Sequence, residues 1–160
     1  VSCHLSWGQS RKWGVWNAYN RQPLLLQAGD STTDWTYNTA TWRPSNDDSD
    51  NSLTVFTGLA EEKFDCRFFQ VMGVVSTSSA EQQNGIGWNS TSAASGSFGR
   101  LGTTNNSVTS LGEGNASLLQ APALGANVVT ALERMADTAT TGGNWFATQD
   151  NMVLSARWRG

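Results

Sequence analysis

Histidine occurs once, at His4, and cysteine twice, at Cys3 and Cys66. A Ser-His-Asp or Cys-His relay would have to use His4, and no G-x-S-x-G elbow or other nucleophile motif accompanies it. Cys3 and His4 are adjacent and Cys66 stands alone, far from the C-x-x-C spacing of a structural zinc site. Glu61, Glu62 and Asp65 suggest a glycosidase carboxylate pair. Adjacent residues on a strand point to opposite faces, however, so Glu61 and Glu62 cannot flank one glycosidic bond, and Glu62 with Asp65 is no better placed. Asn46, Asp47, Asp48, Asp50 and Asn51 bring together the oxygen ligands that calcium prefers, but the glycine and closing glutamate of an EF-hand loop are missing. A solvated, like-charged loop is the expectation. Gly85, Gly87, Gly112 and Gly114 match no phosphate-cradling fingerprint and read as turn residues. Neither an enzyme nor a cofactor or metal requirement is therefore expected.

Aromatic residues remain. The chain holds eight tryptophans, and an indole combines a large apolar face with one hydrogen-bond donor, which suits sugar-stacking platforms and subunit anchors alike. About half of them are expected in the core, since tryptophan is highly buried on average. Trp16, Trp42 and Trp158 are the candidates for an interface or ligand surface.

The elements that must position these side chains read as strands. In the stretch from Asp34 to Val71, Trp35, Tyr37, Thr39 and Thr41 alternate against Thr36, Asn38, Ala40 and Trp42, which predicts a strand over 34–42 that Pro44 ends. After the loop SNDDSDNS, alternation predicts strands over 53–58 and 63–71, with Cys66 buried as a small apolar residue. Earlier, a short strand is expected over about 12–19 and another at LLLQA, closed by Gly29 and Asp30. Beyond Val71 the chain turns to small and polar residues, read as two or three short strands with long exposed loops. The segment 125–136 has an ambiguous period, with strand preferred over a short helix because its surroundings are β. The terminal alternation of Met152, Leu154, Ala156 and Trp158 predicts a strand over 151–159 sewn into the sheet.

The chain has 160 residues, which suits one domain with a hydrophobic core of its own. Charged residues make up only 14% and the net charge is −3; without a basic run, the phosphate-neutralising contribution to nucleic-acid binding is missing. No stretch reaches the roughly 18 to 20 apolar residues of a membrane helix, and the first residues lack the features of a signal peptide. A soluble chain is expected. It does not begin with Met, as would suit a processed form or the ordered part of a longer protein. With no βαβ alternation, the expected architecture is an all-β, antiparallel two-sheet sandwich of jelly-roll type.

Taken together, WTYNTATWR, the polar loop, LTVFTGLAEE, the Gly-Ile-Gly-Trp-Asn region, ALGANVVTALE and the terminal ARWRG resemble β-sandwich surface domains of tailed-bacteriophage virion proteins. The resemblance covers most of the chain and rests on texture, with no functional residue carried over. It implies a non-enzymatic structural or attachment module of the capsid-decoration, head-fibre or tail-fibre kind, on the virion surface. Its partners would be capsid or tail proteins, host-surface glycan, and further copies of itself in a homotrimer. A carbohydrate-binding module or lectin using exposed aromatics is the alternative.

Overall fold

The computed structural model describes residues 2–6, 12–16, 23–58, 60–76, 80–103, 108–136, 143–147 and 151–159. Of residues 2–6, 12–16, 75, 76, 103, 108 and 109 it describes the backbone only. The strands are β1 (Ser2–Ser6), β2 (Lys12–Trp16), β3 (Pro23–Ala28), β4 (Asp34–Thr36), β5 (Arg43–Pro44), β6 (Ser52–Thr57), β7 (Phe64–Ser76), β8 (Ala80–Trp88), β9 (Ser95–Thr103), β10 (Val108–Gln120), β11 (Gly125–Met135), β12 (Gly143–Phe146) and β13 (Met152–Arg159). A single 3-10 turn, Ser45–Asp47, interrupts them among the described residues.

β1 and β2 pair with each other. The rest form one antiparallel sheet in the order β3-β13-β7-β10-β9-β8-β11-β5, with β6 also on β11, β12 on β7, and β4 on β12. This sheet curls into a half-barrel, so residues far apart in its order meet across one interior. Its backbone is the β7–β10 ladder, in which all thirteen residues from Phe64 to Ser76 pair with Gln120 to Val108.

Alternation explains which side faces in. Phe64, Cys66 and Phe68 on β7, Ala116 and Leu118 on β10, and Met152, Leu154, Ala156 and Trp158 on β13 turn towards the interior. From the other half come Leu53 and Val55 on β6, Ile86 on β8, and Val129 and Ala131 on β11. Phe64 is the centre of this core: its ring stacks on Trp158 at 5.3 Å and 8° and tilts against Trp88 at 5.5 Å. A smaller cluster of Val74, Ala80 and Met135, with Leu101 against it, fills the other end.

Curling needs local departures from a flat ladder, which bulges and glycines supply. The β8–β9 pairing shifts register between Asn84 and Ile86. Nearby, a Cβ on Gly99 would lie only 2.2 Å from Asn84 Oδ1 and 2.3 Å from the Asn115 nitrogen. Both contacts are too close for any carbon, and one is to backbone. Gly99→Ala is therefore expected to destabilise by about 3 kcal/mol, at the upper end for overpacking, read as a lowered midpoint in urea. An unchanged midpoint would show that β9 can move away from β10.

The all-β, antiparallel expectation agrees with this architecture, as do strands β3, β6, β11 and β13. Two element readings change. Residues 34–42 are not one strand, because after β4 the chain is held by other contacts: the Tyr37 hydroxyl donates to the Thr41 carbonyl at 2.8 Å, the Asn38 side-chain Oδ1 accepts from Gly143 N–H at 2.9 Å, and Met135 N–H donates to the Thr39 carbonyl at 3.0 Å. The chain thus crosses the sheet end instead of extending it. Nor is the Gly/Ser/Asn-rich region after Val71 a set of short strands on long loops. It forms β8 and β9, of nine residues each, and β10, of thirteen. Gly85, Gly87, Gly112 and Gly114 are not turn residues but lie inside β8 and β10, where neighbouring strands and side chains press too close for a Cβ.

Candidate functional site

One cross-strand row of the half-barrel is polar where its neighbours are apolar. Arg43 on β5 pairs with Glu133 on β11, Glu133 with Asn84 on β8, and Asn84 with Gly99 on β9. On the other half, Gly114 on β10 pairs with Gln70 on β7. Asn84 bridges the halves, its Nδ2 donating to the Gly114 carbonyl at 2.9 Å. A Cβ at Gly114 would fall 2.5 Å from Asn84 Oδ1, so the missing side chain at Gly114 is what admits the amide. Gln82, two residues along the same face of β8, donates from Nε2 to the Asn144 carbonyl at 3.0 Å. Gln70, Gln82, Asn84 and Glu133 are all fully buried. This polar belt separates the large apolar cluster from the small one.

Its charged end is a clasp. Trp35 donates from Nε1 to both Glu133 oxygens, at 3.0 and 2.8 Å. Arg43 reaches Oε1 from Nε at 2.9 Å and from a terminal nitrogen at 2.8 Å. The guanidinium is stacked in turn over the Tyr37 ring, 3.7 Å from its centroid. Burial pushes the Glu133 carboxyl up to about 7, against the opposing Arg43 charge and the hydrogen bonds from Arg43, Trp35 and the Asn46 backbone. Taking a carboxylate out of water raises its pKa even when donors surround it.

Beside the clasp, the loop 45–51 is organised inward around Asp30. Asn46 Nδ2 donates to Asp30 Oδ2 at 2.8 Å and Asn51 Nδ2 to the same oxygen at 3.2 Å. Asn46 adopts φ 57°, in the left-handed region that asparagine tolerates. Burial works against the Asp30 charge, but Thr32, Asn46 and Asn51 together hold its carboxyl below the ordinary value. The two asparagines considered as calcium ligands thus direct their amides to Asp30.

Trp42 sits on the outer face. Its ring meets Phe98 edge-on at 6.1 Å, and the Arg134 guanidinium lies 4.5 Å above it. A Cβ at Gly85 would approach Trp42 Cη2 to 3.1 Å, so the glycine lets the indole lie down on β8. Arg134 is itself held by Gln83 Oε1 at 2.8 Å, so its guanidinium is fixed over the indole. Trp158 is only 6% exposed. It belongs to the core, because the inward phase of β13 brings it onto Phe64. The third candidate, Trp16, ends β2 opposite Ser2, and its side chain lies outside the described residues, as do those of Cys3 and His4. Cys66 is a buried free thiol that burial, with the Asp65 charge, pushes up to about 12, far from thiolate chemistry. Asp65 pairs with Arg67 at 3.2 Å on the surface.

Trp42 and Trp158 are thus not brought together, one lying on the outer face and the other in the core. Sequence reasoning missed Glu133 and Arg43, which are ninety residues apart and share no motif. One signal was available: Gln70 falls in phase with Phe64, Cys66, Phe68 and Met72 on the inward face of β7.

A depression of about 220 Å³ opens on the outer face of β7, β10 and β13, lined by Arg67, Phe69, Asn115, Ser117, Val153 and Ser155, with Phe68 and Ala116 also at its wall. Comparison with protein-family models, curated proteins and solved structures finds no match. Chemically, the belt can hold the two halves in register and take up a proton at Glu133. Glu133 itself is fully buried, while the Arg43 side chain is partly exposed.

Proposed function

We propose that this protein is a non-enzymatic structural or attachment module, in line with the virion-surface proteins its sequence resembles, and that it assembles as a homotrimer. On this reading the half-barrel is a sandwich-like, jelly-roll-related surface domain, docking on capsid or tail proteins. The observation that carries it is apolar exposure on a weakly charged β scaffold: Leu25 54%, Phe56 41%, Leu111 69%, Leu119 65% and Leu124 69%. The edge strand β3, PLLLQA, adds an uncharged rim that pairs on one side with β13, the kind of edge that soluble proteins cover or protect with charge. Closed rotational symmetry would cover such surface without open-ended growth.

Size-exclusion chromatography with light scattering tests it. The expected mass is three times the 17.2 kDa of one chain; a monomer at micromolar concentration would refute assembly. The carbohydrate-binding alternative draws on one observation, the depression beside Phe69. Its mixed lining offers an aromatic ring with hydroxyl, amide and guanidinium groups around it. Glycan-array binding lost in Phe69→Ala, from a monomeric protein, would favour that reading.

A further inference from the structure

The described strands form two sheets, and the smaller has only two members, β1 and β2. A two-stranded hairpin on its own is marginal in water. Its register is orderly, however: Cys3 lies opposite Val15 and Leu5 opposite Trp13, while Ser2, His4 and Ser6 lie opposite Trp16, Gly14 and Lys12. Because successive residues of a strand alternate between faces, Cys3, Leu5, Trp13 and Val15 share one face of the hairpin, and that face is wholly apolar. The large sheet offers a place for it. β6 bonds to β11 along one edge, and its other edge has no ladder partner among the described residues. Cα atoms of β1 come within 8 Å of those of β6, whereas stacked sheets lie about 10 Å apart, so β1 approaches β6 from the side and not from above. On β6, Leu53, Val55 and Thr57 are buried between more open neighbours, which gives an incoming strand one apolar side and one polar side to match.

We infer that the hairpin is the strand pair that extends the half-barrel at β6, with β1 forming the missing ladder and the face of Cys3, Leu5, Trp13 and Val15 continuing the core beyond Leu53 and Val55. Two observations select this segment over a foreign strand. β1 runs beside the open edge, and the apolar phase of the hairpin has the same period as that of β6, so a single register buries both sets. β2 then becomes the outer strand. It carries Lys12, a charge of the kind that protects a sheet edge from further pairing. Trp13 joins the core on this arrangement, and Trp16, opposite Ser2, falls on the other face. The inference does not depend on the oligomeric state.

Hydrogen exchange of the full chain, read amide by amide over residues 2–6, 12–16 and 52–57, tests this docking. In an antiparallel ladder alternate amides point to opposite edges, so one set of β6 amides faces β11 and the other faces β1. The expected result is that the second set exchanges at least about tenfold more slowly in wild type than in Leu5→Asp, as loss of a ladder to local opening requires. The amides of β7 should be unchanged, and Ser6→Asp, on the polar face, should leave the protection in place. Wild-type amides of the second set that exchange as fast as those of an unfolded chain would overturn the ladder. Equal loss in Leu5→Asp and Ser6→Asp would overturn the assigned face. Protection that disappears on dilution would put the hairpin on another copy and overturn docking within the chain. Should Leu5→Asp expose β7 as well, Leu5→Ala reads the same amides with the same outcomes.

Discussion

Replacing Glu133 by alanine is expected to lower the free energy of unfolding by about 3–5 kcal/mol, the range for breaking a buried ion pair from one side. The loss has two parts. Trp35 Nε1 and the Arg43 guanidinium each lose their acceptor, and β4 loses its side-chain tie to β11. Urea denaturation read by circular dichroism would measure it, and a loss below about 1 kcal/mol, as for a surface pair, would show that the clasp contributes little. Glu133→Gln isolates the charge. Burial pushes the folded carboxyl up to about 7 from the ordinary 4.5 of the unfolded chain, so folding favours the protonated form. The stability this provides is fully present below about 4.5 and is lost as pH rises through about 7, amounting to something on the order of 3 kcal/mol across that window. Wild type should thus gain stability relative to Glu133→Gln as pH falls from 8 to 5. A difference that stays flat, or that runs the other way, would mean that Arg43 and Trp35 outweigh burial.

Trp158→Ala is expected to cost about 3–5 kcal/mol, as for other large aromatic truncations in a core. Trp158 lies flat against Phe64, itself fully buried and in contact with Trp88, so its removal opens a cavity at the centre of the large cluster. The same substitution separates two roles. A core residue lowers the unfolding midpoint whatever the oligomeric state, whereas a subunit anchor would release stably folded monomers. The first outcome is expected. Stable monomers would instead put Trp158 at an interface.

Much of the architecture was legible in the sequence because it depends on local period. Met152, Leu154, Ala156 and Trp158 alternate in the chain and alternate in burial, and the same holds for Leu53, Val55 and Thr57. Segment 125–136 was ambiguous for a physical reason: as β11 it lies between β8 on one side and β5 and β6 on the other. Its residues from Val129 to Glu133 are buried on both faces, which removes the alternation that marks a half-exposed strand.

What composition and pattern determined by themselves was the class: all-β, antiparallel, weakly charged and rich in aromatics. Tertiary structure alone decided which polar residues matter. Glu133 met Arg43 and Trp35 only because β11 runs beside β5 and because the segment carrying Trp35 folds over the interior. Asn84 could turn inward only because Gly99 and Gly114, on two other strands, left room for it. Period sets the face that a residue occupies, since it is a property of neighbours in the chain. The neighbours across strands are set by how the sheet curls, and so a buried charge and its partners appear only when the chain is folded.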